Sequence, residues 1–222
     1  MIDYYPQMNP AEYYHVFNRG NNRENIFYKP RNAIYFLLQY HKYLSPLLDT
    51  YAYCLLPNHF HLLVRVKSVE EILGGGACTD IPGFKNLECL AKRGDSIALD
   101  KAISEMVSEQ FRRFFISYAK AINKQEGRVG SLFQKNFKRL RIKSKQHLIN
   151  LVQYIHANAQ LHGLCDDFRD WSDSSYHGFL SENPTNLQRA VVLDWFGNRE
   201  QFILRHREYI GWKIAEEWLI EE

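Results

Sequence analysis

The stretch Leu55-Leu56-Pro57-Asn58-His59-Phe60-His61-Leu62-Leu63-Val64 is mostly apolar yet holds two histidines one residue apart. Read as a strand, it alternates its side chains between two faces. His59 and His61 then share one face, while Phe60, Leu62 and Val64 point the other way into a core. Two imidazoles on one face of a buried strand can hold one divalent metal. The same pattern also arises as a plain polar face or as two satisfied core histidines, so a third ligand and a nucleophile must be sought elsewhere.

Working outward, Tyr51 to Leu56 reads as a second strand, joined to the first by the break at Pro57-Asn58. Proline lacks a backbone donor and belongs at a strand start. Glu12 to Asn18 is β-branched and aromatic and reads as another strand. The turn that follows carries two guanidiniums, Arg19 and Arg23, with Gly20 between them leaving space for a ligand backbone. Arg31 to Leu44 has helical spacing and stops before Pro46. Residues 74–100 are punctuated by Gly74-Gly75-Gly76, Pro82-Gly83 and Gly94 and read as a long, irregular insertion or loop. Lys101 to Lys124 is again helical. Phe137 to Ile142 alternates as a fourth strand with a basic face, and that alternation puts Arg139 and Arg141 on one side of it.

The next helix, His147 to Leu161, has Ser144 as its cap and ends at Gly163. Tyr154 and Asn158 are four apart and share a face. His156 lies on another side of the helix. Taken singly, Tyr154 reads as a core tyrosine and Asn158 as a surface residue. Taken with His59 and His61, they assemble a chemistry. A phenol with an ordinary pKa near 10 is a weak nucleophile at neutral pH. A divalent metal on His59 and His61, with the Asn158 carbonyl as third ligand, would polarise a phosphate for attack by Tyr154. Nitrogen and oxygen donors together suit Mg²⁺ or Mn²⁺.

The bulk numbers bound the setting. The chain has 222 residues, 45% hydrophobic and 14% aromatic, which fits one folded domain, or a domain with an appendage. No run of eighteen apolar residues predicts a membrane span. Met1 to Pro6 lacks the pattern of a signal peptide. The four cysteines are far apart with no C-x-x-C pair, which argues against a disulfide framework and for a reducing cytoplasm. Charge is uneven: residues 101–150 hold twelve Lys/Arg against three Glu, whereas residues 165–222 hold six Lys/Arg against twelve Asp/Glu. Cations interleaved with aromatics in the middle of the chain suit nucleic acid, although such aromatics also build cores.

These pieces resemble the HUH single-tyrosine transposases, in particular the REP-associated branch. The resemblance rests on Tyr14 to Gly20, Leu56 to Val64, Gly130 to Gln134, Tyr154 to Asn158 and Trp171 to Tyr176, which follow the family's order. It implies an α+β fold, a ferredoxin/RRM-like antiparallel sheet of βαββαβ type with helices on one face, with the two histidines on a central strand. It implies His59 and His61 as metal ligands, Asn158 at the position of a metal-binding amide, and Tyr154 as a nucleophile forming a 5′-phosphotyrosine link. The implied partner is single-stranded DNA, often a hairpin or repeat-derived, with Arg19, Arg23, Lys138, Arg139, Arg141 and Lys143 as candidate DNA contacts. The catalytic unit would span 1–180, with 181–222 as a helical, acidic appendage packed on it. Asn158 is followed here by Ala159, where the family usually has proline, so the helix is free to continue. A helix acting in its own site and one acting in a homodimer partner's site both stay open. Two other readings use the same parts: a catalytically inactive hairpin binder, and a metal-dependent nuclease that activates water.

Overall fold

In the computed structural model, residues 3–75 and 81–209 are described. The order of elements is β1 (Tyr13–Arg19), α1 (Pro30–Leu44), β2 (Leu48–Leu56), β3 (His59–Val66), α2 (Val69–Gly74), α3 (Phe84–Arg93), α4 (Ser96–Glu126), β4 (Lys138–Ile142), α5 (Lys145–Leu161), α6 (Tyr176–Leu180), α7 (Arg189–Phe196) and α8 (Arg199–Tyr209). The four strands form one antiparallel sheet in the order β2-β3-β1-β4. Fold class α+β and the βαββαβ order of β1, α1, β2, β3, α4 and β4 are as expected.

β3 is a central strand, and seven of its eight residues are buried. That explains its near-continuous apolar run: both faces are covered. On one face, α1 and α4 enclose Tyr14, Val16, Phe60, Leu62 and Val64. Phe36 sits at the centre of that layer, its ring 5.0 Å from Phe60, 4.9 Å from Phe114 and 5.2 Å from Tyr118. On the other face, α5 packs on β2 and β3. Its Leu151, Val152, Tyr154 and Ile155 share a core with Leu63, Cys54 and Ile142. The expectation of helices on one face therefore describes only the α1 and α4 pair. Helices cover both faces, because β1 and β3 present apolar side chains in both directions.

One further expectation changes. Residues 74–100 are not one irregular loop: α3 lies inside them and α4 already starts at Ser96, where Asp95 Oδ1 accepts the Ala98 N–H at 3.0 Å. Gly83 and Gly94, both with positive φ, bracket α3 rather than mark a loop, and its Phe84 and Leu87 are buried. The described part of the acidic tail completes the second layer. Val192, Phe196 and Phe202 join the α5 core, and Trp195 stacks on Tyr51 at 5.0 Å. Trp212 and Trp218 lie outside the described residues, as does Cys78.

Candidate active site

Alternation on β3 turns His59 and His61 toward α5, and both are buried. The Pro57-Asn58 turn is fixed from the side by the segment after β1: Gly20 N–H donates to the Asn58 carbonyl at 2.8 Å, and Ile26 N–H to the Pro57 carbonyl at 2.7 Å. Gly20 is required there for a reason other than ligand space, since a Cβ would lie 2.0 Å from the Glu24 carbonyl oxygen. The tight turn brings Arg19 and Arg23 to the histidines. Arg19, Arg23, Lys138, His59 and His61 line one cleft of about 310 Å³.

Each histidine is oriented through Nδ1. His59 Nδ1 lies 2.6 Å from Asn58 Oδ1, and His61 Nδ1 lies 3.0 Å from His15 Nε2. With Nδ1 so engaged, either ring would take a metal through Nε2. His59 Nε2 makes no hydrogen bond although it is buried. Burial, then the neighbouring His162 and Arg19, push the His59 pKa down to about 3, so the ring is neutral at physiological pH. His61 is held well below its ordinary value, first by burial and then by His59 and His15. Neutral imidazole is the metal-binding form.

From α5, Asn158 is fully buried, and its amide lies close enough to His59 to favour that ring's charged form. Neither amide atom of Asn158 meets hydrogen-bond geometry with any group. A buried amide without hydrogen bonds costs about 1–3 kcal/mol. Its placement beside an equally unpartnered imidazole nitrogen fits a cation held between them. Among the described residues, no three His, Cys, Asp or Glu side chains group as a metal site, so a cation on the two histidines would take its third donor from another residue type, and Asn158 is the amide that lies beside them. The helix does continue past Asn158, through Leu161, as the absent proline allows.

Tyr154 packs edge-on against His61, ring centroids 5.7 Å apart, and against His15 at 6.2 Å. It is 4% exposed and does not line the arginine-bearing cleft. His59, His61, Asn158 and Tyr154 are thus brought together from β3 and α5, with the tyrosine beneath the histidines.

The candidate DNA contacts divide. Lys138 pairs with Phe17 on β1 and shares the histidine face, its ammonium 5.1 Å from the Tyr4 ring and 5.7 Å from the Phe17 ring. Arg139 and Arg141 pair with Val16 and Tyr14, whose side chains enter the opposite core. Arg139 donates to the Pro6 carbonyl at 2.6 Å, and Arg141 forms an ion pair with Glu12. The structure does not bring these two to the cleft. Lys143 is exposed just beyond β4.

No family model matches the chain. A Haemophilus influenzae protein described as "Putative REP-associated tyrosine transposase" is 27% identical over 152 residues, 68% of each chain. The chain resembles the REP-associated tyrosine transposases. A solved chain described as "Structure of the REP associates tyrosine transposase bound to a REP hairpin" superposes with a TM-score of 0.48 at 15% identity, over 83% of this chain and 89% of that one.

The resemblance to REP-associated tyrosine transposases gives no role to His15 or His162. His162 brings its ring to 4.8 Å from His59 at the end of α5. A signal for it was present in the sequence, because Tyr154, Asn158 and His162 are spaced by four. His15 had none, since its approach to His61 depends on which strands are neighbours.

Proposed function

We propose that this protein cleaves and rejoins single-stranded, hairpin-bearing DNA through Tyr154, as a tyrosine transposase. The observation that carries the reading is the packing of the Tyr154 ring edge-on against His61, on the same side of β3 as His59 and the buried Asn158 amide. His59 and His61 through Nε2, with Asn158 through its carbonyl, would hold Mg²⁺ or Mn²⁺. A bound divalent ion supplies positive charge to a phosphate oxygen and orients the phosphate for in-line attack.

The chain's own residues do the rest. Arg19, Arg23 and Lys138 neutralise the strand's phosphates at the cleft. Tyr154 Oη bonds to phosphorus as the P–O3′ bond breaks. The phenolic proton is released and the departing 3′ oxygen takes one up, leaving a 3′-OH and a 5′-phosphotyrosine. Reversal by another 3′-OH rejoins strands without an energy source. The low-dielectric pocket under the sheet keeps water from the ester. Such a substrate would be met in the cytoplasm, at the nucleoid.

The burial of Tyr154 outside the cleft favours a second reading, a nuclease in which a metal-activated water attacks instead. A denaturing gel of the protein with labelled hairpin DNA and Mn²⁺, wild type beside Tyr154→Phe, separates the two. The proposed function requires a metal-dependent covalent band for the wild type alone. Cleavage by both proteins without an adduct would establish the nuclease. Binding with neither product would leave a catalytically inactive hairpin binder.

A further inference from the structure

The turn after β1 has an uncommon backbone. Asn22 and Arg23 are consecutive residues in the left-handed region, with φ of 54° and 60°. Asparagine tolerates that region. Arginine seldom enters it, and such strain persists only where the surroundings over-determine it. Here they do. Arg23 N–H donates to the Gly20 carbonyl and Glu24 N–H to the Asn21 carbonyl, both at 3.1 Å. Glu24 forms an ion pair with Arg128, and the Asn58 carbonyl holds Gly20 from the other side.

The consequence falls on the Asn58 side chain. The turn presents the Arg23 carbonyl to it, 3.4 Å from Asn58 Nδ2, while Asn58 Oδ1 lies 2.6 Å from His59 Nδ1. One amide therefore spans the arginine turn and the first histidine of β3. Its two ends differ, because the NH₂ group only donates and the oxygen only accepts. A backbone carbonyl also only accepts, so the NH₂ end must face Arg23. The oxygen is left for His59, and His59 Nδ1 must carry the proton. A neutral ring holds one such proton, so Nε2 keeps its lone pair. With the amide reversed, two oxygens would face each other at the turn. The NH₂ group would then donate to Nδ1, and the ring proton would sit on Nε2, where it blocks a metal.

We propose that Asn58 is a positioning residue that fixes the tautomer of His59, and that the left-handed turn at Arg23 fixes Asn58 in turn. The segment that offers Arg19 and Arg23 to the cleft thereby also readies an imidazole for a cation. The proposal rests on the reading of His59 as a metal ligand. It adds two groups that act through that ligand, the Asn58 amide and the Arg23 carbonyl.

Two measurements on the full chain test it. One is Mn²⁺ affinity by calorimetry. The other is the ring ¹⁵N shifts of His59 without metal at neutral pH, which report the protonated nitrogen. The wild type should show His59 protonated at Nδ1. Asn58→Ala removes both ends of the amide, so it should mix the tautomers and weaken Mn²⁺ binding about 10–100-fold. Asn58→Asp keeps an oxygen for Nδ1–H and should hold the wild-type tautomer and bind Mn²⁺ at least as tightly. Arg23 variants test the turn and stand even if Asn58→Ala does not fold. Glycine enters the left-handed region freely and valine resists it, while both remove the same charge. Arg23→Gly should keep the wild-type tautomer. Arg23→Val should mix the tautomers and bind Mn²⁺ about tenfold more weakly than Arg23→Gly. In the Asn58→Asp background the two should bind alike, because a carboxylate has no donor end to turn toward the ring. A wild-type His59 protonated at Nε2 overturns the proposal. So does a folded Asn58→Ala protein with wild-type tautomer and affinity. Equal tautomers and affinities in Arg23→Gly and Arg23→Val overturn the role of the turn. A wild type that binds no Mn²⁺ defeats the metal reading instead, and the tautomers of the metal-free variants then decide the proposal by themselves.

Discussion

His15 Nε2 lies 3.0 Å from His61 Nδ1 across the β1–β3 pair, with both rings fully buried. If His61 takes a metal through Nε2, its Nδ1 carries the proton and donates to His15. Partners of this kind fix the tautomer and orientation of a ligand, and their loss typically costs about 10–100-fold in metal affinity. His15→Ala is therefore expected to weaken Mn²⁺ binding by about that factor, measured by calorimetry. His15→Gln, which keeps an acceptor, should recover part of it. Unchanged affinity in His15→Ala would reduce His15 to a packing residue.

Asn158 sets function against stability. Its buried amide makes no hydrogen bond, so replacing it with an apolar residue of similar size should relieve about 1–3 kcal/mol. At about 2–4 °C per kcal/mol for a chain of this size, metal-free Asn158→Leu should melt several degrees above the wild type. It should also lose the stabilisation that added Mn²⁺ gives the wild type. A lower melting temperature for metal-free Asn158→Leu would show that the amide has partners in solution and is not held for a cation.

Arg139 and Arg141 test how far charge alone predicts a DNA contact. Arg19 and Lys138 line the histidine cleft, whereas Arg139 holds the backbone at Pro6 and Arg141 pairs with Glu12. Substituting Arg19 and Lys138 together with alanine should weaken single-strand binding and lower its salt slope by about 1.4, two contacts at about 0.7 each. Arg141→Ala should leave the slope as it was. If Arg141→Ala flattened the slope as much as the Arg19 and Lys138 pair, the strand would run over the opposite edge of β4.

Those arginines also mark where the sequence stopped being legible. The period of β4 could be read, but its phase could not, because its exposed positions carry cations on both faces. On β3 the phase was plain, since its polar residues, His59, His61 and Arg65, all fall on one face. The pairing of Tyr154 with Asn158 was visible as helical spacing. The approach of α5 to β3 was not, being set by packing between segments about ninety residues apart. α3 was hidden by the glycines at its ends, which read equally as a loop. His15 and the role of Gly20 depended on neighbours in space, and spacing carries no trace of them.

The helix that carries Tyr154 is pinned from behind by a buried chain of hydrogen bonds. His206 on α8 bonds the Phe202 carbonyl through Nδ1 at 2.7 Å and meets His156 Nδ1 with Nε2 at 2.9 Å. His156 Nε2 then meets Ser175 Oγ at 2.8 Å, and that oxygen accepts the Tyr53 N–H at 2.9 Å. With Nδ1 of His206 donating to a carbonyl, its Nε2 must accept from His156, so the chain runs in one direction and both rings are neutral. Phe168, Tyr176 and Phe196 pack round His206, and burial pushes its pKa down to about 3. The unfolded chain takes up this proton near its ordinary value of about 6.5. Between those two values the unfolded state binds more protons, so the stability from this site is full above pH 6.5 and is lost as pH falls toward 3. His206→Phe leaves the buried His156 Nδ1–H without its acceptor and should destabilise the protein at pH 7.5 by about 1–3 kcal/mol. At pH 5 the wild type bears the cost of the neutral His206 and the variant does not, so the gap between them should narrow. Urea melts of both proteins at the two pH values measure it. A gap that stays constant would mean that His206 is not held neutral by the fold, and that α8 grips the tyrosine helix through packing alone.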